Sequence, residues 1–340
     1  MTRHPAGVSH PLPKVAYMTA PIIADDLEQA LTLHRRELTG FCYRMLGAAA
    51  EAEDAVQETL VRAWRHADRF EGRSSLRTWL YRIANNVCID MLRAPQRRAR
   101  PMDFGPAIPQ QGAVAGPTRS LTEYVLPIVD QTVIDTDGDP ADVVEARESI
   151  RLAFVAALQH LPPRQRAALI LCEVLKWQAT EAAELLDTTV ASINSALQRA
   201  RATLASLEGE PLTPRLDPEH EALLARYVDA FERYDIPALT ALLRDDAVMT
   251  MPPFDMWLRG RDDLSRWFGE QGRACEGSTL IPLDVNGTAG YASYKPGADG
   301  SLHPWAIQVI DVADGWIVGH HNFIGPELFA AFGLPDHLEP

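Results

Sequence analysis

Lysine is almost missing. Lys14, Lys176 and Lys295 are three of 32 basic residues in a chain of 340, and arginine supplies the rest. We read this as the codon usage of a GC-rich genome rather than as chemistry. Cysteine is scarce as well. Cys42, Cys88, Cys172 and Cys275 stand far apart with no CxxC. That excludes a disulfide miniprotein and fits the reduced thiols of a cytoplasmic protein. No run of about 18 apolar residues exists, so no membrane span or membrane partner is expected. The N-terminal apolar patch from Val15 to Ala24 is broken by Thr19 and Pro21, so no signal peptide is expected either. GxGxxG, P-loop, HExxH and a Ser-His-Asp order are all absent, and neither a cofactor nor a metal is expected. Net positive charge is also lacking. A formal charge of −14 argues against a protein that coats nucleic acid unaided.

What is present is a globular mix, 46% apolar and 23% charged, enough for two or three cores. Its charge is unevenly spread. Residues 61–100 hold ten arginines against Asp68, Glu71 and Asp90, whereas residues 217–340 hold eight basic groups against twenty acids. One basic helical segment in an acidic chain suggests a nucleic-acid surface with an acidic domain appended. Arginines solvating helix faces would give the same run.

Residues 1–24 carry four prolines and read as a disordered extension. Residues 25–96 read as helices. Leu27, Leu31, His34, Leu38, Phe41 and Met45 recur at helical spacing until Gly47. Ala52, Ala55, Val56, Leu60, Ala63 and Trp64 form a second apolar stripe. Ser75 suits the N-cap of a third helix, Leu76 to Leu92, stopped by Pro95. Residues 97–144, with six prolines, read as a long linker whose apolar stretch Leu121 to Ile134 can dock. Residues 145–208 are helical again. The turn at Asp187-Thr188, followed by a helix rich in polar and basic residues, has the form of a helix-turn-helix. Residues 209–218 form a short linker. Residues 219–335 then change class, with two helices followed by five alternating or apolar runs punctuated by Gly and Asp. That pattern is a small α+β domain.

Three blocks carry a family pattern. The stretch from Glu53 to Leu60, then Phe70, Ser74 to Leu80, Ile83 to Asn86 and Asp90 to Arg93 resemble region two of the sigma-70 family, in its extracytoplasmic-function (ECF) group. Leu161-Pro162-Pro163-Arg164-Gln165-Arg166 and Ser195 to Arg201 resemble region four. The acidic tail resembles the SnoaL-like α+β cone appended to one subset of these factors. The fold class implied is multidomain: two all-α sigma domains, the second with a helix-turn-helix, and an α+β cone.

The resemblance implies a transcription-initiation subunit rather than an enzyme. Its partners would be core RNA polymerase, through the largest and β subunits, and promoter DNA. A small molecule or an intramolecular partner would act at the C-terminal domain. Asp54, Gln57 and Glu58, three and four residues apart and hence on one helical face, are implied as the polymerase contact. Arg69, Phe70, Arg73, Arg77 and Asn86 are implied at the −10 element, where extruded bases need stacking surfaces and cations. Ser192, Asn194, Ser195, Gln198 and Arg199 would face the −35 element in the major groove. The chain departs from the family at Asn85, where a basic residue is usual. It departs again at Asn194-Ser195-Ala196, in place of Lys-Ser-Arg, and at Tyr124-Val125-Leu126-Pro127, in place of a tryptophan motif. In the cone, Trp257, Trp267, Tyr291 and Trp305 are candidates to line a pocket or to fill the core. Asp255, Asp284, His303, His320 and His321 are its titratable candidates. His320 and His321, adjacent on a strand, should point to opposite faces. Two other readings fit the same residues: a one-component DNA-binding regulator with a ligand-binding cone, and an enzyme housed in the cone.

Overall fold

The computed structural model describes residues 24–70, 72, 74–93, 98–108, 117–207 and 218–339. Three helices open the chain: α1 (Ala24–Leu46), α2 (Ala49–Arg65) and α3 (Leu76–Met91). Gly47 ends α1 with φ 82°, and its amide donates to Tyr43 O at 2.7 Å, a helix-terminating geometry that glycine adopts without strain. Ser75 caps α3 by accepting from the Thr78 amide at 3.1 Å. Phe41, Cys42, Met45, Val56, Leu80, Ala84 and Cys88 are fully buried between the three helices. One residue of the expected α2 stripe is not inside. Trp64 is 46% exposed, because the buried face near the end of α2 runs through Thr59 and Ala63 and leaves Trp64 at its edge.

The stretch expected to be a linker, residues 97–144, is largely docked. It begins with a short helix, α4 (Pro101–Phe104). Ala99 and Tyr124 then form a parallel bridge, and the Leu126 amide donates to Gly47 O at 2.9 Å. Tyr124, Val125, Ile128, Val133 and Ile134 are all buried. Proline prevents a regular element here but not burial, and five apolar side chains repay the ordering of an irregular chain. Its last residues are helical: α5 (Pro140–Glu148) has Asp139 as N-cap and Pro140 at its first position. A proline read as a breaker is in fact a helix start.

The second helical domain continues with α6 (Leu152–Gln159) and α7 (Pro163–Leu169), which passes into a π-helical turn, Ile170–Val174. The helix-turn-helix follows as α8 (Ala179–Leu185) and α9 (Val190–Ala205). Asp187, at φ 50°, makes the turn between them. Arg166 joins this domain to the first. Its guanidinium donates to Met45 O at the end of α1, to Gln159 Oε1 at 2.7 Å, and to the Gln159 and Leu161 carbonyls at 3.2 and 3.1 Å.

The C-terminal domain runs α10 (Pro218–Glu232), α11 (Ile236–Thr240), β1 (Leu243–Thr250), β2 (Trp257–Arg259), α12 (Arg261–Gly269), β3 (Thr279–Val285), β4 (Thr288–Pro296), β5 (Leu302–Ala313), β6 (Trp316–Ile324) and α13 (Pro326–Ala331). The six strands form one sheet in the order β2-β1-β6-β5-β4-β3, antiparallel except for the β1–β6 pair. The Asn286-Gly287 and Asp314-Gly315 pairs, all at positive φ, turn the β3–β4 and β5–β6 hairpins. Both faces of the sheet are covered. Leu280, Ala289, Tyr291, Ile310 and Ile317 pack under α10–α12. Val285, Ala292, Tyr294, Ile307, Val309 and Phe323 share a core with the helical domains and the docked linker.

The tip of the β3–β4 hairpin is where the three parts of the chain meet. Asn286 has no exposed surface. Its Nδ2 donates to Tyr43 Oη of α1 at 2.6 Å and to Ile150 O ahead of α6 at 2.7 Å. Its Oδ1 accepts from the Ile128 amide of the linker at 3.0 Å. The Gly287 amide donates to Asp130 Oδ1 at 2.8 Å. Burial pushes the Tyr43 phenol well above its ordinary range, so it stays a neutral member of this network. Among the described residues, no helix is long and apolar enough to cross a membrane.

Candidate polymerase and nucleic-acid interfaces

On α2, Asp54 and Gln57 face solvent. Glu58 is half-buried and accepts from Arg62 Nε at 2.7 Å. Val61 and Trp64, 42% and 46% exposed, continue the surface, Val61 four residues after Gln57 and Trp64 three after Val61. The open strip is therefore Asp54, Gln57, Val61 and Trp64, an acidic and polar end running into an exposed aromatic. The sequence pattern places Trp64 on the apolar stripe and does not single out Val61; their helical spacing from Gln57 is the signal that could have found them.

The basic run on α3 is partly engaged within the chain. Arg77 makes a fork on Glu37, with Nε and Nη2 at 2.9 and 2.7 Å from Oε2. Its guanidinium also stacks 5.0 Å from the Trp177 ring of the second helical domain. Arg82 donates to Glu184 O of α8 at 3.1 Å, and Arg62, Arg93 and Arg98 have carboxylate partners in Glu58, Asp90 and Glu51. Phe70 stands 5.3 Å from Trp79, both half-buried. Asn86 is exposed and lines a cleft between α3 and the α8–α9 turn. Asn85, where the family pattern has a basic residue, is buried. Arg73 and the Arg69 side chain lie outside the described residues. The surface with the α3 candidates thus faces α8 and Trp177 rather than open solvent.

Helix α9 starts on Thr189, whose Oγ1 accepts from the Ser192 amide at 3.2 Å. Ile193, Leu197 and Ala200 anchor it. Ser192, Asn194, Ser195, Gln198 and Arg199 all lie on its exposed side, and Arg199 Nη1 donates to Ser195 Oγ at 3.1 Å. These side chains supply donors and acceptors suited to base edges and phosphate.

In the C-terminal domain, Trp267 and Tyr291 belong to the packed core. Trp257 Nε1 donates outward to Gly105 O at 2.9 Å, and Trp305 lies under Lys295 Nζ, 3.3 Å from its ring centroid. His320 and His321 do point to opposite faces. His320 is enclosed with Tyr227, Gln308 and Asn322. Asn322 Nδ2 lies 2.9 Å from its Nδ1, Tyr227 Oη 2.7 Å from its Nε2, and Tyr227 donates to Gln308 Oε1 at 2.7 Å. A neutral imidazole with its proton on Nε2 satisfies every member of that chain. Burial, reinforced by the adjacent His321, pushes His320 down to about 3. The unfolded chain takes up a proton near pH 6.5, while the fold refuses it until about pH 3. Stability should therefore fall as pH drops from 6.5, by about 1.4 kcal/mol per pH unit. Urea unfolding of wild type and His320→Gln between pH 7 and 4.5 checks this. An equal acid slope in both would refute it. Asp255 receives Arg119 Nε and lies 2.9 Å from Tyr124 Oη, so it ties the linker to the sheet. Asp284 is half-buried on β3. His303 is exposed beside Asp299, 3.1 Å away. Among the described residues, no group of three or more His, Cys, Asp or Glu could hold a metal ion.

The family described as Sigma-70 region 2 matches residues 30–98, and that described as Sigma-70, region 4 matches residues 151–204. The SnoaL-like domain family matches residues 224–320. The chain is 42% identical over 311 residues to the ECF RNA polymerase sigma factor SigG of Mycobacterium tuberculosis, covering 90% of this chain and 83% of that protein. It is 28% identical over 319 residues to SigJ of the same organism, covering 89% and 93%. The crystal structure of SigJ superposes with a TM-score of 0.59 at 25% identity, over 91% of this chain and 99% of that one.

Proposed function

Because the chain belongs to the extracytoplasmic-function RNA polymerase sigma factors, we propose that it joins core RNA polymerase in the cytoplasm as a dissociable specificity subunit. It has no reaction of its own. The first helical domain docks through α2 and holds the −10 element, α9 enters the major groove at the −35 element, and the C-terminal domain regulates both in cis. The open strip on α2 carries this reading. Asp54 and Gln57 complement a basic partner at the rim, and Trp64 is the aromatic anchor that protein interfaces favour.

The promoter elements themselves require a change of shape. Their names place them 25 base pairs apart, about 85 Å of B-form DNA at roughly 3.4 Å per pair. Here α3 packs on α8, with Arg77 on Trp177 and Arg82 on Glu184. The structure is thus a closed form, and productive binding separates the two helical domains. The paired, partly exposed arginines then exchange carboxylates for phosphates at small cost.

Titration of fluorescently labelled chain against core RNA polymerase tests the reading. Wild type should bind tightly. Asp54→Lys with Gln57→Ala, and separately Trp64→Ala, should weaken binding by roughly 30-fold, about 2 kcal/mol. Failure of wild type to bind, with sequence-specific retention of free DNA at physiological salt, would favour a one-component regulator instead.

A further inference from the structure

The outer face of the sheet does not close completely on the rest of the chain. Between β1, β5 and β6 on one side and α4 and α6 on the other lies a cavity of about 160 Å³. Its apolar walls come from three parts of the fold: Met102 of α4, Leu152 and Ala153 of α6, and Val248, Val318 and Phe323 of the sheet. It lies on the opposite side of the sheet from His320 and Tyr227, so it is distinct from the interior of the cone.

One end of the cavity is polar. His321 is saturated there, with Nδ1 2.9 Å from Thr250 Oγ1 and Nε2 3.1 Å from Asp311 Oδ2. Arg100, on the wall, is not. Its side chain is 33% exposed and forms an ion pair with Asp103 at 3.9 Å, but its Nε is buried and makes no hydrogen bond, since that distance is too long for one. A buried guanidinium donor left unmade is costly, and an anionic acceptor satisfies it best. The size sets the rest of the ligand. A dry apolar cavity of about 150 Å³ accepts one benzene ring.

We propose that this cavity binds a small aromatic monocarboxylate of benzoate size, with its ring among Met102, Leu152, Val248 and Phe323 and its carboxylate on Arg100. Because the walls belong to the linker, the second helical domain and the sheet, an occupant stabilises the packed arrangement of all three. The site stands independently of how the chain engages polymerase.

Isothermal titration of the full chain with benzoate tests it. The expected result is saturable one-to-one binding with Kd below about 1 mM. Arg100→Met should weaken it at least about tenfold, while neutral benzyl alcohol binds wild type and Arg100→Met alike. Ala153→Phe, which adds a ring to the cavity wall at an exposed position, should abolish binding of both. Biphenyl-4-carboxylate, too long for the cavity, should not bind wild type, a comparison that needs no variant to fold. The proposal is overturned if benzoate shows no saturable binding, if its binding survives either substitution, or if the biphenyl acid binds as well as benzoate.

Discussion

Gly287→Ala should release the C-terminal domain from the rest of the chain. A methyl group there would meet the Arg147 carbonyl oxygen at 2.3 Å, its carbon at 2.7 Å and Cα at 2.9 Å, all of them backbone atoms that cannot swing away. The residue also sits at φ 69°, where an L side chain is strained. The hairpin tip cannot then enter the joint, and the four hydrogen bonds made by Asn286 and the Gly287 amide to Tyr43, Ile150, Ile128 and Asp130 are lost together. Buried groups left unpaired cost about 1–3 kcal/mol each, and the backbone strain adds about 1 kcal/mol or more. We expect a loss of about 3 kcal/mol or more in urea unfolding, a larger radius of gyration by small-angle scattering, and core polymerase binding at least about tenfold tighter as the open form gains population. Gly315→Ala is the control. It has φ 76° in the corresponding turn of the β5–β6 hairpin, but nothing lies within 4 Å of its added methyl. It should show the strain alone, with unchanged scattering and unchanged polymerase affinity. If Gly287→Ala behaves like Gly315→Ala, the joint does not hold the closed form.

Arg166→Ala should cost about as much, by a different route. Arg166 is buried, and its guanidinium serves the carbonyls of Met45, Gln159 and Leu161 together with Gln159 Oε1. Removing it strands several acceptors that water cannot reach, at a total of about 3–5 kcal/mol. Lysine should not restore the loss. A single ammonium cannot reach four acceptors arranged around a planar fork. Thermal and urea unfolding of Arg166→Ala and Arg166→Lys check this, and recovery of wild-type stability in the lysine variant would refute the geometric account. Met45 lies in the last turn of α1 of the first helical domain, whereas Gln159 ends α6 and Leu161 lies between α6 and α7 of the second. The substitution therefore weakens the contact between the two domains as well as the second domain itself.

The sequence by itself determined every feature that depends on local periodicity and local chemistry. The stripe through Leu38, Phe41 and Met45, the Ser75 and Thr189 caps, the Asp187 turn and the Asn286-Gly287 hairpin are each specified within a few residues, because side-chain spacing and backbone sterics act at that range. The exposed side of α9 followed in the same way from Ile193, Leu197 and Ala200. Helix α12 is also written in the spacing of Leu264, Trp267 and Phe268. Tertiary structure decided the rest. The docking of Tyr124 and Ile128, the covering of both sheet faces, the burial of Asn286, the exposure of Trp64 and the engagement of Arg77 by Glu37 and Trp177 all join residues 40 or more positions apart or depend on what packs beside them. No local pattern carries such information. Whether a basic or aromatic residue is free depends on which distant surface reaches it, and that is fixed only when the apolar faces of separate elements find one another.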